Sequence, residues 1–334
     1  MRRNPFFKSW RTAGLVLAWA GIPAGWANPG HEVTVAEITA QIAQSPAMPE
    51  LYFQRAWNYR EMSRMAEARA DWETTLKLNP GFLPASRELA RQDALEGHLE
   101  AGIARLRQAM AAAPADQAFH RPGCSSVLAE LLLKLGKNDQ ALAEINEGIL
   151  AAPDLLLDLC LLRSEAQRRL GQHGERVRDL AAAMVQLRSF VVKTKWYDAL
   201  IDAGRGAEIL TEVDQEIANT RYHAAWLIRR ARILLKAGEK DAAASDLRAA
   251  ATEIESRLRP ENPDLSLICD RGVIRALQGN LSAAHADLTL ARQSGADFWM
   301  LMMLEALTAS TLPAAPPSLE IPRTGNSKSN GNDK

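Results

Sequence analysis

Apolar residues recur along this chain at the three- and four-residue spacing of amphipathic helices. Between residues 49 and 298 they form short paired segments that are separated by glycine or polar turn residues. Strand-type runs of Val, Ile and Thr are nearly absent, and Ala, Leu, Glu, Gln and Arg, which favour helix, are abundant. The pattern predicts an all-α protein built from antiparallel helix pairs.

One segment, LYFQRAWNYREMSRMAEARADWETTLKLNP, shows the pairing most clearly. Small residues at two positions let neighbouring helices approach closely, large residues fill the space between them, and a proline ends the second helix. Counted from Pro49 as position 1, these markers are Ala56 (8), Tyr59 (11), Ala68 (20), Trp72 (24) and Pro80 (32). We expect Tyr59 and Trp72 to be core residues rather than ligand-binding ones.

The same frame recurs along the chain and predicts about seven units. Their ranges are 49–82, 83–116, 122–155, 157–189, 190–221, 224–257 and 265–298. A glycine recurs at the turn between the two helices of a unit, as in Gly97, Gly136, Gly171, Gly204, Gly238 and Gly279. The third unit follows an inserted loop around AFHRPG, and its terminal proline is Pro153. The fourth unit has Arg176 at a position where the frame requires a small residue. The fifth unit is degenerate and matches the frame poorly.

This frame resembles the tetratricopeptide repeat, a 34-residue helix-turn-helix unit. The resemblance covers about residues 31–298, and it implies a right-handed α-solenoid whose first helices line a concave groove. With the leading segment described below, the chain is similar to bacterial exported tetratricopeptide-repeat proteins.

Two flanking segments complete the predicted array. Residues 28–48 should form a helix on the first repeat, with an apolar face of Val35, Ile38 and Ile42 and with Thr34 in a capping position three residues before Glu37. Residues 299–310 form an apolar capping helix that must be partly buried against the last repeat. The proline-rich and polar residues 311–334 are expected to be disordered.

The first 27 residues read as a cleaved secretory signal peptide. Arg2, Arg3, Lys8 and Arg11 precede an apolar stretch from Ala13, and small residues follow at residues 25–27. The alternative is an uncleaved anchor, although the apolar stretch is shorter than the roughly 20 residues that span a bilayer. We therefore expect an exported bacterial protein, periplasmic or secreted, without a stable membrane anchor after cleavage.

The charge and the cysteine content of the chain argue against a nucleic-acid-binding protein and against a disulfide-stabilised one. The chain has 40 basic and 40 acidic residues, which gives no electrostatic footprint for nucleic acid. Three cysteines are too few for a disulfide framework. Cys124 and Cys160 fall on neighbouring first helices whose axes lie about 8–10 Å apart, beyond the reach of an unstrained disulfide, so we expect buried free thiols.

No catalytic or cofactor motif is present in the sequence. Phosphate-binding, dinucleotide-binding and nucleophile-elbow glycine patterns are absent. His120 and Cys124 in the HRPGC loop lack a second metal-binding pair at a suitable spacing, and the function of this loop stays open. We expect no catalytic residues, no cofactor and no metal.

The resemblance implies which side chains face the groove. Phe53 and Trp57 stand on the inner face of the first helix of repeat one, where an aromatic is presented rather than buried. The set of candidate partner-binding residues is Phe53, Trp57, Arg60, Arg87, Arg91, Glu130, Lys134, Glu165, Arg168, Arg229 and Arg232. The family's carboxylate-clamp pattern is not reproduced at these positions.

The leading hypothesis is a non-catalytic scaffold of the bacterial envelope that binds a peptide or protein of unknown identity in this groove. One alternative is a self-associating structural component, with FWMLMMLEAL as the contact surface. Another is an accessory subunit of a secreted enzyme. The oligomeric state is not determined by the sequence.

Overall fold

The computed structural model describes residues 29–309 except 153, 155 and 260, so the proposed signal peptide, residues 311–334 and Pro153 lie outside the described residues. The elements in the described ranges are sixteen α-helices and two short 3-10 helices, Ala115–His120 and Gly206–Ile209. The predicted all-α fold is therefore confirmed. The α-helices are α1 (Pro29–Gln44), α2 (Pro49–Glu61), α3 (Met65–Leu78), α4 (Leu83–Leu95), α5 (Leu99–Ala112), α6 (Arg121–Lys134), α7 (Asn138–Ala151), α8 (Leu157–Arg169), α9 (His173–Leu187), α10 (Phe190–Asp202), α11 (Leu210–Asn219), α12 (Ala224–Ala237), α13 (Lys240–Arg257), α14 (Leu265–Leu277), α15 (Leu281–Gln293) and α16 (Phe298–Ala309).

The described chain divides into two compact units, residues 29–216 and 217–309, with the boundary inside α11. In the first unit α2 pairs with α3, α4 with α5, α6 with α7 and α8 with α9, while α1 packs on α2. In the second unit α12 pairs with α13 and α14 with α15, and α16 packs on both helices of the last pair. Leu301 and Leu304 of α16 are buried in the core of this second unit.

Close helix approach within a pair depends on the small residues of the frame. Ala56 on α2 and Ala68 on α3 are completely buried, and Trp72 on α3 is completely buried beside them. At Gly102 a Cβ atom would lie 3.0 Å from the carbonyl oxygen of Ala90, so α4 and α5 approach too closely for a larger residue. The prediction that Trp72 is a core residue is confirmed, whereas Tyr59 is only partly buried.

The turns between paired helices use the left-handed backbone region. The glycines at this position, including Gly97 and Gly171, have φ between +71° and +84°. In the first repeat the same position is Ser63, with φ 60°. A side chain in this region costs about 1–2 kcal/mol, so the turn after α2 is strained relative to the glycine turns.

An ion pair with a fixed sequence spacing joins the two helices of four repeats. An arginine on the first helix meets an aspartate sixteen residues later on the second helix, at distances of 2.7 to 3.2 Å. The four pairs are Arg55–Asp71, Arg163–Asp179, Arg230–Asp246 and Arg271–Asp287. Each pair sits on the helix interface of its own repeat and adds a polar connection to the apolar packing.

Three local features differ from the sequence-based expectations. The predicted inserted loop is mostly helical, because a 3-10 helix ends at His120 and α6 begins at Arg121. Helix α1 begins at Pro29, so Thr34 lies inside it and donates a hydrogen bond to the carbonyl of Gly30 instead of capping the helix. Arg176, at the small-residue position of the fourth repeat, is buried and reaches Asp202 at 2.6 Å.

Candidate functional site

The first helices α4, α6, α8 and α10 of the unit 29–216 form one layer, and α2 is connected to it by the ion pair of Arg60 with Glu88 at 3.1 Å. Helix α4 packs on α6, α6 on α8, and α8 on α10, whereas the second helices of these repeats have no contacts of that extent among the described residues. Because the first helices lie closer together than the second helices, this layer is the inner side of the stack. The candidate residues of α2, α4, α6 and α8 stand on this layer.

Three arginines converge on one buried carboxylate at the start of the layer. The side chain of Glu88 on α4 is only 5% exposed. Its carboxylate lies 3.1 Å from Arg60 of α2, 3.2 Å from Arg87 and 3.0 Å from Arg91. We call these four residues the Glu88 cluster. One carboxylate cannot neutralise three guanidinium groups, so the cluster carries excess positive charge on a surface that solvent reaches through Arg91.

The exposed ring of Trp57 lies against the Glu88 cluster. The guanidinium carbon of Arg60 stands 3.7 Å from the centre of this ring, within the range of a cation–π contact. Arg60 therefore holds Trp57 on one side and Glu88 on the other. Trp57 is 41% exposed, so part of the ring is open to solvent. Phe53 instead packs against Phe82 with ring centres 5.2 Å apart and is partly buried, contrary to the expectation that it is presented like Trp57.

Arg87 connects the cluster with the beginning of α6. A Cβ atom at Gly123 would lie 2.9 Å from a guanidinium nitrogen of Arg87, so this arginine passes directly over the first turn of α6. Burial and the nearby Arg87 charge lower the pKa of His120, which favours a neutral imidazole. The HRPGC segment thus forms one wall beside the arginine cluster.

Further along the layer the candidate residues pair locally. Glu130 and Lys134 form an ion pair at 2.7 Å along the exposed side of α6. Glu165 on α8 has a completely buried side chain and accepts hydrogen bonds from Arg168 at 2.7 and 2.8 Å and from Arg169 at 2.6 Å. We call Glu165, Arg168 and Arg169 the Glu165 cluster.

Burial and its two arginines act in opposite directions on Glu165. Burial alone would raise the pKa of this carboxyl, but the hydrogen bonds and charges of Arg168 and Arg169 outweigh it and lower the pKa. Arg169 also donates to the carbonyl of Leu133 on α6 at 2.7 Å. Glu165 lies beneath the surface and stabilises packing, so it offers no oxygen to a partner.

The last two candidates belong to the unit 217–309. Arg229 lies over the ring of Trp226, 5.1 Å from its centre, and donates to the carbonyl of Ala225. Arg232 is 8% exposed and therefore buried. Of this pair, only Arg229 stands where a partner could touch it.

Sequence reasoning missed Glu88, the residue on which the first cluster depends. Arg87 and Arg91 stood out as basic residues at inward-facing positions, but their shared acceptor did not. Glu88 also falls at an inward-facing position of the repeat frame, so the signal was present. The contribution of Arg60 could not be read in the same way, because it comes from another helix 28 residues earlier.

The expectation for Cys124 and Cys160, buried free thiols, is confirmed. Cys124, Cys160 and Cys269 are free and buried. Burial raises the pKa of Cys124 and Cys160 to about 11 and that of Cys269 to about 12, so all three thiols stay protonated at neutral pH. The described residues hold no group of three or more His, Cys, Asp or Glu side chains suited to a metal ion. Among them, no helix has the length and apolar character needed to cross a bilayer.

No protein-family model and no curated protein sequence matches this chain. Among solved structures, it is similar to a tetratricopeptide repeat protein from Parabacteroides merdae ATCC 43184, with 16% identity and a TM-score of 0.55 over 78% of this chain and 98% of the other. Human IFIT1, in a dimer with PPP-AAAA, gives 16% identity and a TM-score of 0.42 over 80% of this chain and 69% of the other. The Cut9-Hcn1 hetero-tetramer of APC/C gives 13% identity and a TM-score of 0.44 over 86% of this chain and 47% of the other.

The first of these structures aligns with most of both chains, and it is a tetratricopeptide repeat protein, with the repeat that the sequence frame resembles. In this chain, the helix pairs have small residues at their crossings and glycines at their turns, as the sequence frame predicts. The chain therefore has the fold of the tetratricopeptide-repeat proteins, an α-solenoid of helix-turn-helix units.

Proposed function

We propose that this protein is a non-catalytic scaffold that binds a peptide or protein partner on the first-helix layer of the unit 29–216. The observation that carries the proposal is the contact between Trp57 and Arg60, with Arg60 anchored on Glu88 at 3.1 Å. Tryptophan and arginine dominate binding energy at protein interfaces. Here both are exposed in part and held in place before any partner arrives, which lowers the entropy cost of binding.

The chemistry of this surface favours a partner with acidic and apolar groups side by side. Arg91 is about half exposed, and Arg60 and Arg87 are about one quarter exposed, so each guanidinium keeps donors for a partner. Trp57 offers an apolar face next to them. Repeat solenoids commonly bind extended partners along such a layer, and that general property supports the proposal at the level of the fold.

We further propose that the protein acts outside the cytoplasm, in the periplasm or after secretion. The support is the basic, apolar and small-residue succession of residues 1–27. The mature chain would lose Arg2, Arg3, Lys8 and Arg11 and no acidic residue, which moves its formal charge from 0 to about −4.

A photo-crosslinking experiment in the native envelope tests the site. A crosslinkable residue at position 57 should capture one defined partner, and Trp57→Ala and Arg91→Ala should each reduce binding of that partner by at least tenfold, since a hot-spot residue contributes about 1.4 kcal/mol or more. Capture should occur on protein that lacks residues 1–27.

One exposed residue away from the layer serves as the control. Arg178→Ala (72% exposed, on α9) should leave binding of the captured partner unchanged. Circular dichroism should show equal helicity and Tm for all three variants. If the partner identified by crosslinking binds equally well to Trp57→Ala and to Arg91→Ala, the binding surface lies elsewhere.

A further inference from the structure

Large apolar side chains are exposed along one edge of the unit 29–216, where each second helix ends and the next first helix begins. Two consecutive junctions, α7 to α8 and α9 to α10, carry six of them. We call these residues the junction patch: Leu150, Leu156, Leu157, Val185, Phe190 and Val191. Leu150 is 87% exposed and Val185 74%. At the opposite edge, formed by the turns within repeats, Leu95 is the one exposed large apolar residue among the described residues of this unit.

The charged residues beside the junction patch are acidic around the first junction and basic around the second. Residues 138–162 contain five acids and no base, and residues 180–197 contain three bases and no acid. Asp154 and Asp158 are exposed beside the first junction, and Arg188 is exposed beside the second. The structure places none of these three in an ion pair with another described residue. The patch therefore has an acidic half and a basic half on a shared apolar floor.

A surface of this kind is complementary to itself. A two-fold axis brings the same patch of both subunits together, so the acidic half of one copy meets the basic half of the other. Helices α8 and α10 contact each other as neighbouring first helices, which places the two halves side by side. We propose that the junction patch is a homodimer interface, with Arg188 of each copy facing Asp154 and Asp158 of its partner.

The size of the patch agrees with a dimer of modest affinity. The six side chains expose roughly 200–400 Å² of apolar surface per copy, taking about 60–120 Å² for each fully exposed side chain. With a polar rim of ordinary proportion, two copies bury on the order of 1,000 Å², near the lower limit for specific interfaces. A formal charge of about −4 on the mature chain gives only weak long-range repulsion between copies. We expect a dissociation constant of about 1–100 μM.

Sedimentation equilibrium of the purified chain, from about 1 to 200 μM, tests this interface. The wild type should pass from one to two copies in that range. Leu150→Lys places a cation in the apolar floor opposite Arg188 of the other copy and should weaken association at least tenfold. Leu95→Lys is the matched control, because both leucines are exposed and lie near the C-terminal end of a helix. It should leave association unchanged.

A charge exchange tests the proposed pairing itself. Arg188→Glu and Asp158→Arg should each weaken the homodimer, since like charges then face each other. An equimolar mixture of the two variants should recover part of the association, because both contacts between positions 188 and 158 in the mixed dimer join opposite charges while Asp154 is unchanged. Both variants leave the Trp57 surface intact, so capture of the partner at position 57 should not change.

Three results would overturn the dimer. They are a wild type that stays monomeric at 200 μM, equal effects of Leu150→Lys and Leu95→Lys, and a variant mixture that fails to associate. A monomer that floats with anionic vesicles and loses this property in Leu150→Lys would assign the patch to a lipid surface. Association that persists unchanged in every variant would assign self-contact to another surface, such as α16.

Discussion

Glu88 and Glu165 are buried glutamates of the first-helix layer, and arginines compensate the negative charge of each. The two clusters differ in where these arginines lie in the fold. Glu165 is bound by Arg168 and Arg169, which follow it by three and four residues on the same helix. Glu88 is bound by Arg87 and Arg91 of its own helix and by Arg60 of the preceding repeat. The Glu165 carboxylate is bound by residues of its own helix, and Arg169 continues to Leu133 of the preceding repeat, whereas the Glu88 carboxylate is itself bound by residues of two repeats.

The two clusters also differ in which of their side chains remain exposed to solvent. In the Glu165 cluster the carboxylate is fully buried and both arginines are about one fifth exposed, so nearly all of their hydrogen bonds stay inside the protein. In the Glu88 cluster Arg91 is about half exposed and Arg60 supports an exposed tryptophan. The first arrangement stabilises the fold. The second holds side chains in a fixed position on the surface at which a partner is proposed to bind.

The largest expected effect comes from removing the enclosed carboxylate. Glu165→Ala removes the buried carboxylate that binds both Arg168 and Arg169, and it should lower the free energy of unfolding by about 2–4 kcal/mol. Urea unfolding followed by circular dichroism measures this loss. Glu130→Ala on α6 breaks a partly exposed ion pair and should cost about 0.5 kcal/mol or less. Equal losses in the two variants would contradict a structural role for the Glu165 cluster.

A smaller loss of stability is expected at Glu88. Glu88→Ala frees three arginines that solvent already reaches, so the free energy of unfolding should fall by about 1–2 kcal/mol. The same variant should weaken the partner that crosslinks at position 57, because Arg60 loses its anchor. Glu61→Ala removes the other, exposed acceptor of Arg60 and is the control. If Glu88→Ala destabilises the protein as much as Glu165→Ala and leaves capture intact, the distinction between the two clusters fails.

The smallest effect concerns the turns that follow the helices of the two clusters. The turn after α2, which carries Arg60, has Ser63 at φ 60°, and the turn after α8 has Gly171 at φ 71°. Ser63→Gly should stabilise the protein by about 1 kcal/mol, and Gly171→Ser should destabilise it by a similar amount, because only glycine adopts this conformation without strain. Thermal unfolding of both variants measures the two changes in stability. A shift of the same sign in both would rule out turn strain as the cause.

The repeat frame was readable from the sequence because it follows from sterics. Small residues are required where helices cross, as at Ala56 and Ala68, and glycine is required where φ is positive, as at Gly171. The burial of Cys124 and Cys160 followed from the same frame. Arg176 broke the frame, and the structure shows why the break is tolerated. Ser164 and Asp202 both bind its guanidinium group in the interior.

The site was less predictable because it depends on pairings between residues rather than on positions. Arg60 and Glu88 are on different helices, and nothing in the frame indicates that their side chains meet. Phe53 and Trp57 occupy the same helix face four residues apart, yet Phe82 covers the first and leaves the second exposed. The arginine and aspartate pairs sixteen residues apart are different, since their spacing is visible in the sequence once the frame is known.

Those pairs also bear on how such an array can be lengthened. A segment such as residues 265–298 contains both Arg271 and Asp287, so a duplicated copy would bring its own cross-helix ion pair into any new context. The repeat at 83–116 also has a cross-helix ion pair of its own, Asp93 with Arg105 at 2.9 Å, but its Asp93 binds Arg69 of the repeat before it as well, at 3.2 Å. The cross-helix pair therefore moves with either segment. Moving residues 83–116 alone breaks the contact with Arg69, and moving residues 265–298 alone breaks the longer contact of Arg271 with Glu255 at 3.7 Å.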